Sequence, residues 1–119
     1  MINIGEVLQE FRNEALILGS GTLTHNLRDS NRDVYAPAVS YAKKFRDWIV
    51  VKIQEGDVDS LADFLLNAPE VHSNHPSLEH LLPFFIVLGA SKNKKGKAVI
   101  TLSLFYYPLL IDKSSNLYR

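Results

Sequence analysis

An apolar run that ends in two closely spaced glycines constrains the fold of this chain more than any other feature. The run covers Ala15–Leu18, the glycines are Gly19 and Gly21, and His25 follows them. A short run that is apolar on both faces is typical of a central strand in an α/β sheet. Sites are often built at the carboxyl end of such a strand. The run therefore predicts either a plain strand end with a surface histidine, or an active-site loop in which His25 carries a proton or binds a metal ion.

Composition is that of an ordinary globular protein with a single domain. The 119 residues are 46% hydrophobic and 22% charged, and 13 basic side chains balance 13 acidic ones. This balance argues against a nucleic-acid or anionic-membrane partner. The chain has no cysteine, which excludes disulfides and thiolate metal sites and fits a cytoplasmic location. Charged residues soon after Met1 argue against a signal peptide, and no apolar run is long enough to span a bilayer.

Helical periodicity predicts three helices around the apolar run. A short amphipathic helix is predicted over Ile4–Phe11, and a longer one over Ala38–Gln54 is ended by Gly56. Asp57 or Asp59 can cap a short third helix. The inner face of this third helix is expected to carry Leu61, Phe64 and Leu65.

The second half of the chain predicts one more helix and a strand. Ser77 is a candidate N-cap for a buried helix that ends at Gly89. A solvated loop with several lysines, Ser91–Gly96, leads into a strand predicted over Ala98–Tyr107 because this segment is rich in β-branched and aromatic residues. The tail from Asp112 is expected to fray.

Three of the four histidines lie close together, at His72, His75 and His80, and Glu79 adjoins the last of them. Histidines and a carboxylate in a loop can form a metal site or an acid–base site. However, the spacing matches neither a zinc finger nor a His-Glu-x-x-His motif. From the residues alone, a solvated or structural role is the more common outcome for such histidines, and Glu79 could simply complement a helix dipole.

Two motifs occur in a fixed order along the chain. The first is GSGTLTHNLR at 19–28, and the second is HPSLEHLLPF at 75–84. Asn67-Ala68-Pro69 lies between them and Leu88-Gly89-Ala90 follows. Together they resemble the C-terminal part of the LigB-type class III extradiol ring-cleavage dioxygenases, and within that family the DOPA-dioxygenase-like branch. The resemblance covers most of the chain, from the first helix to about Ser103.

The resemblance implies a fold and an activity. The fold is a single α/β domain with a mixed central sheet flanked by helices. Residues 1–119 would form a partial catalytic domain that lacks the N-terminal portion of the family domain. Family members cleave a catechol-type ring next to its hydroxyls with molecular oxygen, so the expected partners are a small aromatic diol and O2. The expected cofactor is one Fe(II) or Zn(II) ion per complete site, with further ligands in the N-terminal portion.

The resemblance also implies roles for individual residues. His25 aligns with the histidine of the family's glycine loop, which acts as an acid–base group or as a metal ligand. His80 aligns with the histidine of a Pro-x-x-Glu-His motif at the metal site, and Glu79 is its partner or an alternative ligand. His72 matches no motif position and is expected at the surface. The residues expected on the substrate side are Gly21, Thr24 and His75.

Two functions follow as hypotheses. The chain is either part of a ring-cleavage dioxygenase, with weak metal binding and little turnover alone, or a non-catalytic remnant or interaction subunit. In the second case it would form a homo-oligomer or be completed by a partner chain. The apolar strand Ala15–Leu18 and the helix around Phe84 would then need cover from that partner.

Overall fold

Helices dominate the computed structural model, which describes residues 1–29 and 37–98 and the backbone of 109–110. The helices are α1 (Ile2–Val7), α2 (Ser40–Glu55), α3 (Val58–Ala62), α4 (Phe64–Asn67), α5 (Val71–Asn74) and α6 (Leu82–Ala90). Two 3-10 helices cover Leu8–Asn13 and Leu27–Asp29. Strands β1 (Lys97–Ala98) and β2 (Leu109–Leu110) pair antiparallel, with Ala98 opposite Leu109. Within the described ranges, no helix is long and apolar enough to cross a membrane.

Helix α2 forms one wall of the core and confirms the helix predicted over Ala38–Gln54. Its buried residues Phe45, Ile49 and Ile53 recur every four positions and so share one face. Gly56 ends the helix in a left-handed conformation, with φ of 74°, that glycine adopts without a Cβ clash. The other buried hydrophobic residues of the core come from the short helices, α6 and the segment after Gly21: Leu23, Leu61, Phe64, Val71, Leu81, Phe85 and Leu88.

Asp57 caps α3, as predicted. Its carboxylate accepts hydrogen bonds from the backbone N–H of Ser60 at 3.1 Å and from the ammonium of Lys52 at 2.7 Å. The expectation that Leu65 lies on the inner face is wrong, since this side chain is 49% exposed. The helical pattern breaks at Asp63, between α3 and α4, so the spacing that begins at Leu61 does not extend to Leu65.

Helix α6 is buried, as predicted, but it begins later than the predicted cap at Ser77. The first helical residue is Leu82, and Pro83 occupies the first turn, where its missing N–H leaves no intrahelical bond unmade. The Ser77 hydroxyl donates instead to the Glu79 carboxylate at 2.8 Å. His80 therefore lies in the turn that precedes α6 and not in its first turn.

Helix α1 packs across the end of α6, where both helices carry a glycine. A Cβ on Gly5 would lie 2.0 Å from the carbonyl oxygen of Ile86, and a Cβ on Gly89 would lie 2.0 Å from that of Ile2. This contact confirms the N-terminal helix but not its expected orientation. Ile2 packs against the core, whereas Ile4 and Val7 of α1 are 52% and 68% exposed, and Phe11 in the following 3-10 helix is exposed as well.

The prediction of a buried central strand over Ala15–Leu18 is wrong. Among the described residues this segment has no strand partner, and Leu16 and Leu18 are 72% and 77% exposed. The segment runs alongside α6, with Ile17 half-buried and a Cβ on Gly19 only 2.6 Å from a methyl group of Val87. The side of the segment that carries Ile17 is therefore partly covered, whereas Leu16 and Leu18 face outward.

The remaining predictions fall partly outside the described residues. The predicted strand Ala98–Tyr107 begins at β1, but positions 99–108 lie outside the described range, as does the tail from Asp112. Ser91–Gly96 is a loop, as predicted, but it is not solvated throughout, since Ser91 is buried. In it, the Lys94 ammonium donates to the carbonyl oxygen of Gly89 and lies 3.5 Å from the Glu6 carboxylate.

Candidate active site around His25 and His80

The Gly19–Gly21 segment reaches the start of α6 at very close range. A Cβ on Gly21 would lie 2.3 Å from the carbonyl oxygen of His80, so only glycine fits there without a shift of the backbone. The next residue, Thr22, donates its backbone N–H to that same carbonyl at 2.9 Å. The glycine segment thus permits a close approach between the two backbones.

This approach brings two of the candidate site residues together. The imidazole rings of His25 and His80 lie with their centroids 3.7 Å apart and their planes inclined by 32°. Both residues are half-buried. The backbone N–H of His25 donates to the carbonyl oxygen of Asn74 at 2.9 Å, which fixes the position from which the His25 side chain projects.

Glu79 lies beside the pair but faces solvent. Its own backbone amide and the Ser77 hydroxyl donate to the carboxylate, and these bonds, aided by the nearby imidazoles of His80 and His25, hold the pKa of Glu79 below its ordinary value. The carboxylate is therefore ionised at neutral pH. The carboxylate places a negative charge near the histidines, and it already accepts hydrogen bonds from two donors of the protein.

His75 was expected to line the substrate pocket, and the structure places it in the core instead. His75 is only 1% exposed, and its ring contacts that of Phe45 edge-on at a centroid distance of 5.5 Å. Its Nε2 lies 2.6 Å from the carbonyl oxygen of Leu23. Burial is the main reason that the pKa of His75 lies below its ordinary value, and the nearby His25 and His80 act in the same direction.

The other candidate residues flank this arrangement. Thr24 is half-buried between Leu23 and His25. His72 is exposed, which confirms its expected place at the surface.

Two asparagines that sequence reasoning did not single out hold the segments next to the motif histidines. Asn74 is fully buried, and its side-chain amide donates to the carbonyl oxygens of Glu70 at 2.9 Å and Tyr41 at 3.2 Å. Asn26 donates to the carbonyl oxygen of Ser73 at 2.8 Å. Each asparagine adjoins a motif histidine, and this adjacency is the only signal in the sequence that could have indicated them.

The donors present fit one side of a metal site. Imidazole nitrogens, such as those of His25 and His80, are ligands that Fe(II) and Zn(II) both accept. Over residues 1–29 and 37–98, however, no three His, Asp or Glu side chains are grouped so that they could hold an ion. The described part of the chain therefore supplies an imidazole pair and a nearby carboxylate, and not a complete coordination sphere.

Comparisons with known proteins give the family of this chain. The family model described as the catalytic LigB subunit of aromatic ring-opening dioxygenase matches residues 2–113. The chain belongs to the LigB family. It is a DOPA-dioxygenase-like member, because a 4,5-DOPA dioxygenase extradiol of Mirabilis jalapa is 30% identical over 99 residues, which are 82% of this chain. The LigB family implies an α/β fold, whereas the described part of this member is mainly helical with one two-residue strand pairing.

Other relatives extend the same comparison. A 4,5-DOPA dioxygenase extradiol of Beta vulgaris is 29% identical over 81% of this chain. A 4,5-DOPA dioxygenase extradiol-like protein of Schizosaccharomyces pombe is 27% identical over 86% of it. The matched region spans only 37%, 36% and 35% of the Mirabilis, Beta and Schizosaccharomyces proteins. This LigB-family chain thus corresponds to little more than a third of the length of these relatives.

Proposed function

We propose that this chain supplies one side of the active site of an extradiol dioxygenase that opens a catechol-type ring with O2. The observation that carries the proposal is the contact between His25 and His80, whose rings lie 3.7 Å apart although they come from separate motifs. Membership of the LigB family and the names of the relatives support the reaction class. In this proposal residues 1–119 are part of a catalytic domain.

His80 is the proposed metal ligand. When bound, an Fe(II) ion, or Zn(II) in its place, would offer open coordination positions to the diol and to oxygen. Glu79 is less suited to direct ligation, because the Ser77 hydroxyl and its own amide already donate to its carboxylate. We assign Glu79 the role of a charged neighbour that favours a cation near His80.

His25 is the proposed acid–base residue. Histidine titrates close to neutral pH, so its ring can accept a proton from a diol hydroxyl and return it during ring opening. His25 is half-buried, so part of this residue is exposed. Gly21 and Thr24 precede His25 and form the proposed substrate side, where the absence of a side chain at Gly21 lets this segment lie against the His80 backbone.

Metal binding tests the proposal directly. We expect Zn(II) affinity, measured by isothermal titration calorimetry, to fall at least about tenfold in a His80→Ala variant. His72→Ala is the matched control, since His72 is exposed and lies outside the site. Equal Zn(II) affinity in the wild-type protein and the His80→Ala variant would refute the assignment.

Turnover by the 119-residue chain alone is expected to be very low. Its described residues bring together two imidazoles, whereas catalytic sites of this kind commonly use three protein ligands. Oxygen uptake with DOPA under air measures the rate after loading with Fe(II). Rapid, stoichiometric ring cleavage would show that the chain contains a complete site.

A second candidate function is a non-catalytic subunit that self-associates through Ala15–Leu18. The observation in its favour is that Leu16 and Leu18 are 72% and 77% exposed and that their segment has no strand partner among the described residues. Such a segment can pair with the same segment of a second copy in an isologous contact.

The oligomeric state separates this candidate from the first. We expect light scattering coupled to size-exclusion chromatography to report twice the monomer mass of 13.4 kDa, and a Leu16→Glu/Leu18→Glu variant to report the monomer. Val51→Glu, at a 47% exposed position on α2, controls for the added charge. A monomeric wild-type protein at about 100 µM, far above the dissociation constant of a stable dimer, would rule the candidate out.

A further inference from the structure

His75 is the one motif histidine that the proposed chemistry does not use, yet it is more deeply buried than His25 or His80. Its ring nitrogen Nε2 lies 2.6 Å from the carbonyl oxygen of Leu23. A carbonyl oxygen only accepts hydrogen bonds, so Nε2 carries the proton and donates it. Leu23 is itself 3% exposed, so its carbonyl lies in the protein interior, where an unsatisfied acceptor is unfavourable.

This bond is one of four that join residues 22–26 to residues 73–80. Two of them run between backbone atoms: Thr22 N–H to His80 O and His25 N–H to Asn74 O, each at 2.9 Å. The other two use side chains, namely His75 to the Leu23 carbonyl and Asn26 to the Ser73 carbonyl. His75 thus acts on the residue between the two backbone bonds, at the point where the chain turns toward His25.

We propose that His75 is a positioning residue, which holds the Leu23–His25 backbone against the second motif and thereby keeps the ring of His25 on that of His80. This inference rests on the proposed function only where it concerns metal binding. His75 itself touches neither substrate nor metal. It acts through Leu23.

The chemistry of this position explains why histidine stands there instead of an apolar residue. A phenylalanine or leucine would fill the space beside Phe45 but would leave the Leu23 carbonyl without its donor. This position carries a histidine although its Nδ1 is buried without a partner among the described residues. A residue selected for packing alone would not carry this unpartnered nitrogen.

Glutamine and methionine form a matched pair of substitutions, because their side chains are similar in length and volume but only glutamine can donate. We expect His75→Met to lose the nuclear Overhauser effects between the rings of His25 and His80, and His75→Gln to retain most of them. Zn(II) affinity should fall about tenfold in the methionine variant and less than about threefold in the glutamine variant. His72→Met, at an exposed position, should match the wild-type protein in both measurements.

A purely structural role would give a different pattern. Both variants would then lose thermal stability together, and the ring contact would persist in whichever variant folds. Retention of the His25–His80 ring contact in folded His75→Met would overturn the proposal. If instead the ring contact responds as expected but His80→Ala leaves Zn(II) affinity unchanged, the positioning role holds and the proposed function fails.

One measurement on the unaltered protein covers the case in which the methionine variant does not fold. A long-range 1H–15N correlation spectrum of the imidazoles should show His75 as the neutral Nε2–H tautomer, with its proton protected from exchange. A His75 ring protonated on Nδ1 alone would overturn the proposal, since Nε2 could not then donate to Leu23.

Discussion

Tyr41 connects α2 to a residue on the border of each motif. Its hydroxyl donates to the Asp29 carboxylate at 2.8 Å, just beyond the first motif, and its carbonyl oxygen accepts from the Asn74 amide at 3.2 Å. Partial burial and the Asp29 carboxylate raise the pKa of Tyr41 to about 12. A single side chain in α2 therefore fixes the end of the histidine-bearing loop.

The raised pKa of Tyr41 predicts a dependence of stability on pH. The pKa is about 12 in the folded protein and about 10 in the unfolded chain, so the fold favours the protonated phenol. This contribution is complete below about pH 10 and is lost as the pH rises to about 12. Tyr41→Phe should lower the free energy of unfolding by about 0.5 kcal/mol at pH 8, because the bond is partly solvent-exposed.

Urea denaturation at pH 8 and pH 12 measures this difference, which should shrink at the higher pH. Asp29→Asn provides the complementary test, because removal of the negative charge should lower the pKa of Tyr41 in an absorbance titration. A difference that stays constant between the two pH values would contradict the assignment.

At the scale of elements, sequence periodicity predicted those elements whose structure depends on contacts within the element itself. The helix predicted over Ala38–Gln54 is observed as Ser40–Glu55, because its apolar face and terminal glycine are both encoded within the helix itself. Ala15–Leu18 could not be predicted in this way, since an apolar run becomes a strand only beside another strand. Helix α6 covers one side of this run, and the described residues provide no strand for it to join.

The crossing of α1 and α6 depends on the absence of side chains at Gly5 and Gly89. A Cβ at either position would lie 2.0 Å from a carbonyl oxygen of the other helix, so Gly89→Ala forces the two helices apart. We expect the free energy of unfolding to fall by about 2 kcal/mol, a typical penalty for overpacking. Thermal unfolding followed by circular dichroism measures the loss.

Asn3→Ala is the control for this prediction. Asn3 is exposed on α1, the helix that Gly89 contacts, and alanine has the higher helix propensity, so stability should be unchanged or slightly raised. If Gly89→Ala proved as stable as the wild-type protein, the close helix crossing would be refuted.

At the scale of the whole molecule, one small core supports both the fold and the candidate site. Phe45 is fully buried, belongs to the cluster that includes Leu23 and Leu88, and meets the ring of His75. Phe45→Ala should cost about 3–5 kcal/mol. Because domains are commonly stable by only about 5–15 kcal/mol, this loss should leave the variant largely unfolded at modest urea concentrations.

Val51→Ala on the same helix is the matched control, since Val51 is 47% exposed and should change stability by less than about 0.5 kcal/mol. Urea titrations of both variants, followed by tryptophan fluorescence of Trp48, give the comparison. A loss below about 1 kcal/mol for Phe45→Ala would mean that the protein does not depend on this core.

The candidate site was predictable only in part. The order of the glycine motif and the Glu79-His80 motif indicated that His25 and His80 belong together, and the ring contact agrees with this. The place of His75 was not predictable, because its partner is a backbone carbonyl and every residue carries one. Asn74 was missed for the same reason: it accepts from His25 through its own carbonyl oxygen.

The two backbone bonds that join the motifs have a consequence for protein engineering. Thr22 N–H and His25 N–H donate to the carbonyls of His80 and Asn74, and none of these four atoms belongs to a side chain. Replacement of a side chain leaves such atoms in place, and among the standard amino acids only proline removes an N–H donor. His25 can therefore be replaced by cysteine, aspartate or tyrosine, which would place a new reactive group beside position 80.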